Sequence, residues 1–119
     1  MPTPEKEMLL IGAVMEVCLK DFKDKNTVPK LEDRLPLGDL AITAGAQEAL
    51  GDKVCLHLAF AQNATVWGND LGDEDRQAND LAMKNGDRVV SSWQLDGEGF
   101  FVITEHDRSV TTVMRKEDY

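Results

Sequence analysis

The stretch Arg88-Val89-Val90-Ser91-Ser92-Trp93-Gln94-Leu95-Asp96-Gly97-Glu98-Gly99-Phe100-Phe101-Val102-Ile103-Thr104-Glu105, continued by His106-Asp107-Arg108-Ser109-Val110-Thr111-Thr112-Val113-Met114, decides the fold. Its period is two: Val89, Ser91, Trp93 and Leu95 share one face, while Val90, Ser92 and Gln94 share the other, which is the pattern of a strand. Asp96-Gly97-Glu98-Gly99 reads as a hairpin turn and Phe100 to Glu105 as a second strand. After the polar turn at His106-Asp107-Arg108, Ser109 to Met114 reads as a third strand, rich in the β-branched residues that suit a pleated surface. The expected outcome is a three-stranded antiparallel meander.

Upstream, the period lengthens. Over Glu5 to Lys20, Met8, Ile11, Met15, Cys18 and Leu19 recur at spacings of three and four, which predicts an amphipathic helix with that stripe inward. Thr3 is placed to cap it, Pro4 suits its first position, and the run to Asn26-Thr27-Val28-Pro29 ends it. Residues 26–38 form a connector kept extended by Pro29 and Pro36. Leu40-Ala41-Ile42 predicts a short extra strand, Thr43 the cap of a helix Ala44 to Leu50, and Gly51-Asp52 its stop. Lys53 to Gln62 predicts a largely buried helix with Val54, Leu58 and Ala61 on one face and Cys55 and Leu56 beside them. Asn63 to Gly72 reads as a loop anchored by Trp67, and Asp73 to Asn85 as a fourth helix with Ala78, Leu81 and Ala82 inward and acids at the positive end of its dipole. The whole is an α+β domain of residues 1–119, divided into the N-terminal helix 1–25, the connector 26–38 and the body 39–119.

The chain has 119 residues, 42% hydrophobic and 29% charged, the composition of one globular domain. No run approaches the roughly 18 apolar residues of a membrane span, and Met8 to Val17 is short and preceded by acids rather than bases, so a cytoplasmic location is expected. Cys18 and Cys55 each sit in an apolar helical pattern, where a buried reduced thiol is expected. Thirteen basic residues against 22 acidic ones give a formal net charge of −9. Such a balance opposes direct binding to nucleic acid, whose affinity comes largely from Lys and Arg displacing counterions. The acids are uneven: Asp70, Asp73, Glu74, Asp75, Asp80 and Asp87 face only Arg76, Lys84 and Arg88. This surface suits a basic protein partner, or simply a solvated helix face.

Thr104, Glu105, His106, Asp107, Arg108 and Ser109 gather two carboxylates, an imidazole, a guanidinium and hydroxyls at one turn. The same residue types serve a structural corner, where Asp and Ser bond to their own backbone and Arg108 neutralises Glu105 or Asp107. Cys55 and His57 stand two apart on a helix and point to different sides, so no metal site is expected, and no phosphate-cradling loop, dinucleotide fingerprint or nucleophile elbow calls for a cofactor. Trp93 reads as core. Trp67, between Val66 and Gly68, reads either as a rim anchor for a partner or as the packing of its loop.

Leu37-Gly38, Ile42-Thr43-Ala44-Gly45-Ala46-Gln47-Glu48-Ala49-Leu50, Trp67-Gly68, Glu74-Asp75-Arg76-Gln77-Ala78-Asn79, Asp87-Arg88-Val89-Val90-Ser91-Ser92, Ile103 to Thr112 and Glu117-Asp118-Tyr119 follow one another in an order that resembles a family of short bacterial proteins. Members are carried on plasmids and other mobile elements and described as plasmid-related or hypothetical. The resemblance covers about residues 35–119. The family pattern has a His and a Gly-Asp pair before the Trp-Gly, where this chain has Ala64-Thr65-Val66, and Asn69 reads as an inserted residue. Some members carry a label linking them to type I restriction systems, which reflects gene neighbourhood.

Two functional expectations follow. The first is a small acidic accessory protein of a mobile element that binds another protein, such as a host restriction or CRISPR effector, by mimicking the charge of DNA. Its contact surface would be Trp67, Asp70, Asp73, Glu74, Asp75, Asp80 and Asp87, with Glu105, Asp107 and Arg108 at the turn. The second is a metal-dependent hydrolase or nuclease using Glu105, Asp107 and Arg108. A homo-oligomer pairing through Phe100, Phe101 and Val102 is a third arrangement.

Overall fold

The computed structural model describes residues 2–119. Helix α1 spans Pro4–Asp24, α2 Ala44–Leu50, α3 Asp52–Asn63 and α4 Asp73–Asn85, with strands β1 Asp39–Ile42, β2 Val89–Leu95, β3 Glu98–Thr104 and β4 Val110–Arg115. Short 3-10 turns lie at Leu31–Asp33 and Lys116–Asp118. The fold is α+β, with four helices and one four-stranded mixed sheet of order β1-β4-β3-β2. The three C-terminal strands pair consecutively and antiparallel as expected. They do not form a sheet by themselves, because β1 lies parallel to β4, Asp39 opposite Val110 and Ile42 opposite Val113. Asp39 N–H donates to the Ser109 carbonyl and Thr43 N–H to that of Val113, so the connector delivers the extra strand to the far edge of the meander.

The hairpin turn is tighter than its sequence suggests. Asp96 and Gly97 alone form it, with φ of 54° and 78°, the two positive values that match the twist of a two-residue hairpin. Glu98 and Gly99 belong to β3. Thr3 caps α1 by accepting from Lys6 N–H, and Thr43 caps α2 by accepting from Ala46 N–H, both at 3.2 Å.

One face of the sheet carries Trp93, Leu95, Phe100, Val102 and Val113, and buries them with Leu10, Val14 and Cys18 of α1 and Val54, Cys55, Leu58 and Ala61 of α3. The inward stripe of α1 overlaps the expected one only in part, since Cys18 is buried and Ile11 packs against the core as expected. Leu10, Val14 and Cys18, four apart, face the core, while Met8 and Leu19 are 75% and 62% exposed. Both stripes are apolar, so periodicity alone does not choose between them. Helix α3 buries the expected face but leaves Leu56 and Phe60 at its surface. Helix α4 is turned as well: Ala78 and Leu81 point outward, Ala82 is half-buried, and Asn79 is the buried residue.

The expected pairing surface at Phe100, Phe101 and Val102 is closed. Phe100 and Val102 are buried, and Tyr119 packs edge-on against the Phe101 ring at 5.7 Å with Lys116 Nζ 5.2 Å from its centroid. Among the described residues no helix is long and apolar enough to cross a membrane.

Candidate functional site

Strand β2 ends the sheet, and its outward N–H and C=O groups would be open to another strand unless covered. They are covered one by one. Asn79 of α4 donates its amide to the Val90 carbonyl at 2.8 Å and accepts from Val90 N–H at 3.4 Å. Ser92 N–H donates to the Trp67 carbonyl and Asp70 N–H to the Ser92 carbonyl. Asn69 completes the seal, accepting from Gln94 N–H at 2.7 Å and donating to its carbonyl at 3.1 Å. Gly68 is what lets the loop lie this close: its φ is +100°, and a Cβ there would overlap the Ser92 carbonyl oxygen.

Trp67 is therefore not a rim residue. It is 2% exposed, packs with Leu35 and Val89, and donates its indole N–H to Asp80 Oδ1 at 2.9 Å. Asp80, expected at a contact surface, is exposed and also ties α4 to this loop. Polar side chains hold α4 where its sequence is poor in apolar ones.

Arg108 provides a further anchor at the end of α4. Its guanidinium donates to the carbonyls of Ala82 at 3.3 Å, Met83 at 3.2 Å, Asp87 at 2.6 Å and Glu105 at 3.2 Å. The first two lie in the last turn of the helix, where the Ala82 carbonyl also accepts from the Gly86 and Asp87 N–H groups, so a cation there adds to the capping and suits the negative end of the dipole. Asp107 accepts from Ser109 N–H at 3.0 Å, and bonding from the Ser109 side chain first, then from this N–H, holds its carboxyl below the usual aspartate value. Glu105 lies 3.4 Å from Arg88. The turn that looked like a reactive constellation is built as a corner, with its guanidinium committed to backbone carbonyls. His106 is exposed beside it. Among the described residues no three His, Cys, Asp or Glu side chains stand close enough together to hold a metal ion.

The remaining expected residues separate into engaged and unengaged acids. Asp70 accepts from Lys116 Nζ at 2.7 Å, and that bond, with the positive charge behind it, lowers its pKa. Asp73, Glu74 and Asp75 stand exposed on the first turn of α4 and take part in none of the seven ion pairs among the described residues; the carboxylate of Asp87 is likewise exposed and unpaired. The last turns of α1 approach this end of α4, so that Asp21, Asp24 and Asp73 line one open cleft of about 430 Å³ together with Lys20, Asn69 and Arg76. Arg76 donates to the Leu71 and Gly68 carbonyls, and Lys25 pairs with Asp21 at 2.9 Å. The α1 contribution to this acidic surface was not foreseen, because Asp21 and Asp24 are some fifty positions from Asp73 and read as ordinary end-of-helix charges.

Two further groups are internal. A directed chain of hydrogen bonds runs beneath the sheet, from the Gln62 amide to Thr104 Oγ1 at 3.2 Å, on to Thr111 Oγ1 at 2.8 Å, and from there to the Leu37 carbonyl at 2.9 Å. All three side chains are buried, and the chain links α3, β3, β4 and the connector. Cys18 and Cys55 are buried free thiols, as expected. Burial first, then the nearby Asp21 and Asp52 charges, push their pKa values to about 11 and about 12, which leaves both protonated and unreactive at neutral pH.

No family model matches the chain, and no curated protein or solved structure matches it either.

Proposed function

We propose that this protein acts by docking, as a small acidic accessory protein of a mobile genetic element that binds a basic, nucleic-acid-handling protein of the host cytoplasm, of the restriction or CRISPR type. The observation that carries this reading is the meeting of Asp24 with Asp73 at one cleft, beside the unpaired Glu74 and Asp75 and next to Asp21, which Lys25 holds. Carboxylates spread along such an edge occupy the places that phosphates take in a basic groove, and an acidic molecule is drawn to that groove at long range. The resemblance to plasmid-borne proteins supports the setting, and the net charge of −9 supports the sign of the partner. Trp67 drops out of the contact surface because it is buried, while Asp80 stays exposed with one oxygen bonded to the indole N–H.

The test is capture from host lysate on the immobilised protein at about 50 mM and about 500 mM salt, since exposed charge pairs are screened over a Debye length that shrinks with ionic strength. The expected result is a basic partner retained at low salt and released at high salt, and lost when Asp73, Glu74 and Asp75 are all changed to Lys. Retention of no such partner, or retention indifferent to the triple change, refutes the reading.

A further inference from the structure

The outer side of α1 carries an apolar stripe that the monomer does not use. Met8 and Leu19 are 75% and 62% exposed, Gly12 is exposed and Met15 half-buried. They follow one another at spacings of four, three and four, the alternation that lines up a seam between two helices. Helix α3 widens the strip, because Leu56 and Phe60, 52% and 38% exposed, share a groove with Met15 and His57. Gly12 is the unexpected member. A Cβ at this position would meet nothing within 4 Å, yet glycine inside a helix is disfavoured relative to alanine. Packing within the chain does not explain it, whereas close approach of a second helix does.

We propose that this strip is the interface of a two-fold homodimer, in which α1 packs antiparallel on α1 of a second copy. The register follows from the stripe itself. With the helix reversed against itself, Met8 meets Leu19 of the second copy and Gly12 meets Met15, each twice, so that a long flexible side chain lies over the smallest residue. The same register brings Glu5 beside Lys23 of the second copy on one flank, again twice. Along the outer side of α1, Glu5 and Glu16 are balanced by Lys20 and Lys23, unlike the acid-rich start of α4. Two chains of net charge −9 therefore meet where local charge is complementary. Opposed helix dipoles add to the preference for the reversed arrangement.

By helical rise the strip spans about 17 Å from Met8 to Leu19, about 27 Å with the Glu5 and Lys23 flank, and with α3 beside it each copy presents on the order of 500 Å². That falls short of the ~800 Å² per partner of a standard stable interface, so association in the micromolar range is expected. The acidic edge at Asp73 stays open in both copies, and the inference stands independently of the docking function.

Sedimentation equilibrium of the full chain from about 1 µM to about 1 mM tests it. The mass is expected to rise from 13.2 kDa toward twice that value and no further. Leu19→Glu, at an exposed position that far-UV circular dichroism will show still folded, is expected to raise the dissociation constant ~100-fold. Leu31→Glu, 86% exposed outside the strip, is expected to leave it unchanged. Glu5→Lys and Lys23→Glu are each expected to weaken association several-fold, and the two together in one chain to restore it. A mass that stays at 13.2 kDa throughout leaves the strip to a foreign helix and overturns the proposal. So does assembly beyond two copies, a dimer indifferent to Leu19→Glu, one that Leu31→Glu breaks equally, or a charge swap that fails to restore association.

Discussion

Replacing Arg108 by Ala separates a corner from a site. The side chain donates to four carbonyls, two of them the terminal acceptors of α4, and sits at a partly buried position where water replaces it only incompletely. Hydrogen bonds from a charged donor contribute about 1.5–3 kcal/mol each in protected settings, but those at the exposed rim, such as the one to Asp87, contribute less. Losing the set is therefore expected to cost about 2–3 kcal/mol. For a domain of this size that corresponds to a fall in Tm of roughly 8–12 °C. Arg108→Lys is expected to recover little, since a single ammonium cannot span carbonyls that a planar fork reaches together. Arg108→Gly is expected to be less damaging than Ala by ~1 kcal/mol, because φ is +59° here and the left-handed region strains any residue with a Cβ. Urea unfolding followed by circular dichroism measures all three, and amide exchange should show the last turn of α4 opening first. A cost for Arg108→Ala below about 0.5 kcal/mol, the level of an ordinary surface change, would refute the reasoning and return the guanidinium to the pool of groups free for a ligand.

Two further outcomes are expected. Asn79→Ala leaves the Val90 N–H and C=O without partners at the covered edge of β2, at a cost of ~2 kcal/mol by urea unfolding, and a variant as stable as the parent would show that water replaces the amide. Stability should be level near neutrality and fall in acid. Asp70, Asp107 and Asp118 have pKa values lowered by bonds from Lys116, Ser109 and Arg115 respectively, so their contributions are present above the ordinary aspartate value of 3.8 and are lost as pH falls through the lowered values. A urea midpoint followed down to about pH 2 checks this; Asp70→Asn should flatten the acid limb, and a limb unchanged by it would remove Asp70 as a cause.

The local elements were legible in the sequence because each is specified by neighbours along the chain. Thr3 and Thr43 at caps, the Asp and Gly residues from Asp96 to Gly99 at the hairpin and the alternation from Val89 to Leu95 all act within a few residues, and the four helices and three C-terminal strands lie close to where these signals put them, the turn itself being shorter by Glu98 and Gly99. Orientation was less legible. Helix α1 carries two apolar stripes, and only the position of α3 and the sheet decides that Leu10, Val14 and Cys18 turn inward while Met8 and Leu19 turn out. Helix α4 reads as burying Ala78 and Leu81, yet it docks through Asn79, Asp80 and Arg108, since hydrogen bonds across 11 to 26 residues leave no periodic trace.

The candidate site divides along the same line. Excess negative charge, the run Asp73-Glu74-Asp75 and the chemistry of the Glu105 to Ser109 turn belong to the sequence alone. Their use does not. Trp67 lies in the core because Gly68 lets its loop lie on β2, Arg108 is committed because the end of α4 arrives at that turn, and Asp21 and Asp24 meet Asp73 because two helices distant in the chain converge. Composition sets the sign and amount of charge, which add without regard to position. Which charges remain unpaired is a matter of distance, and distance is settled only when the chain folds.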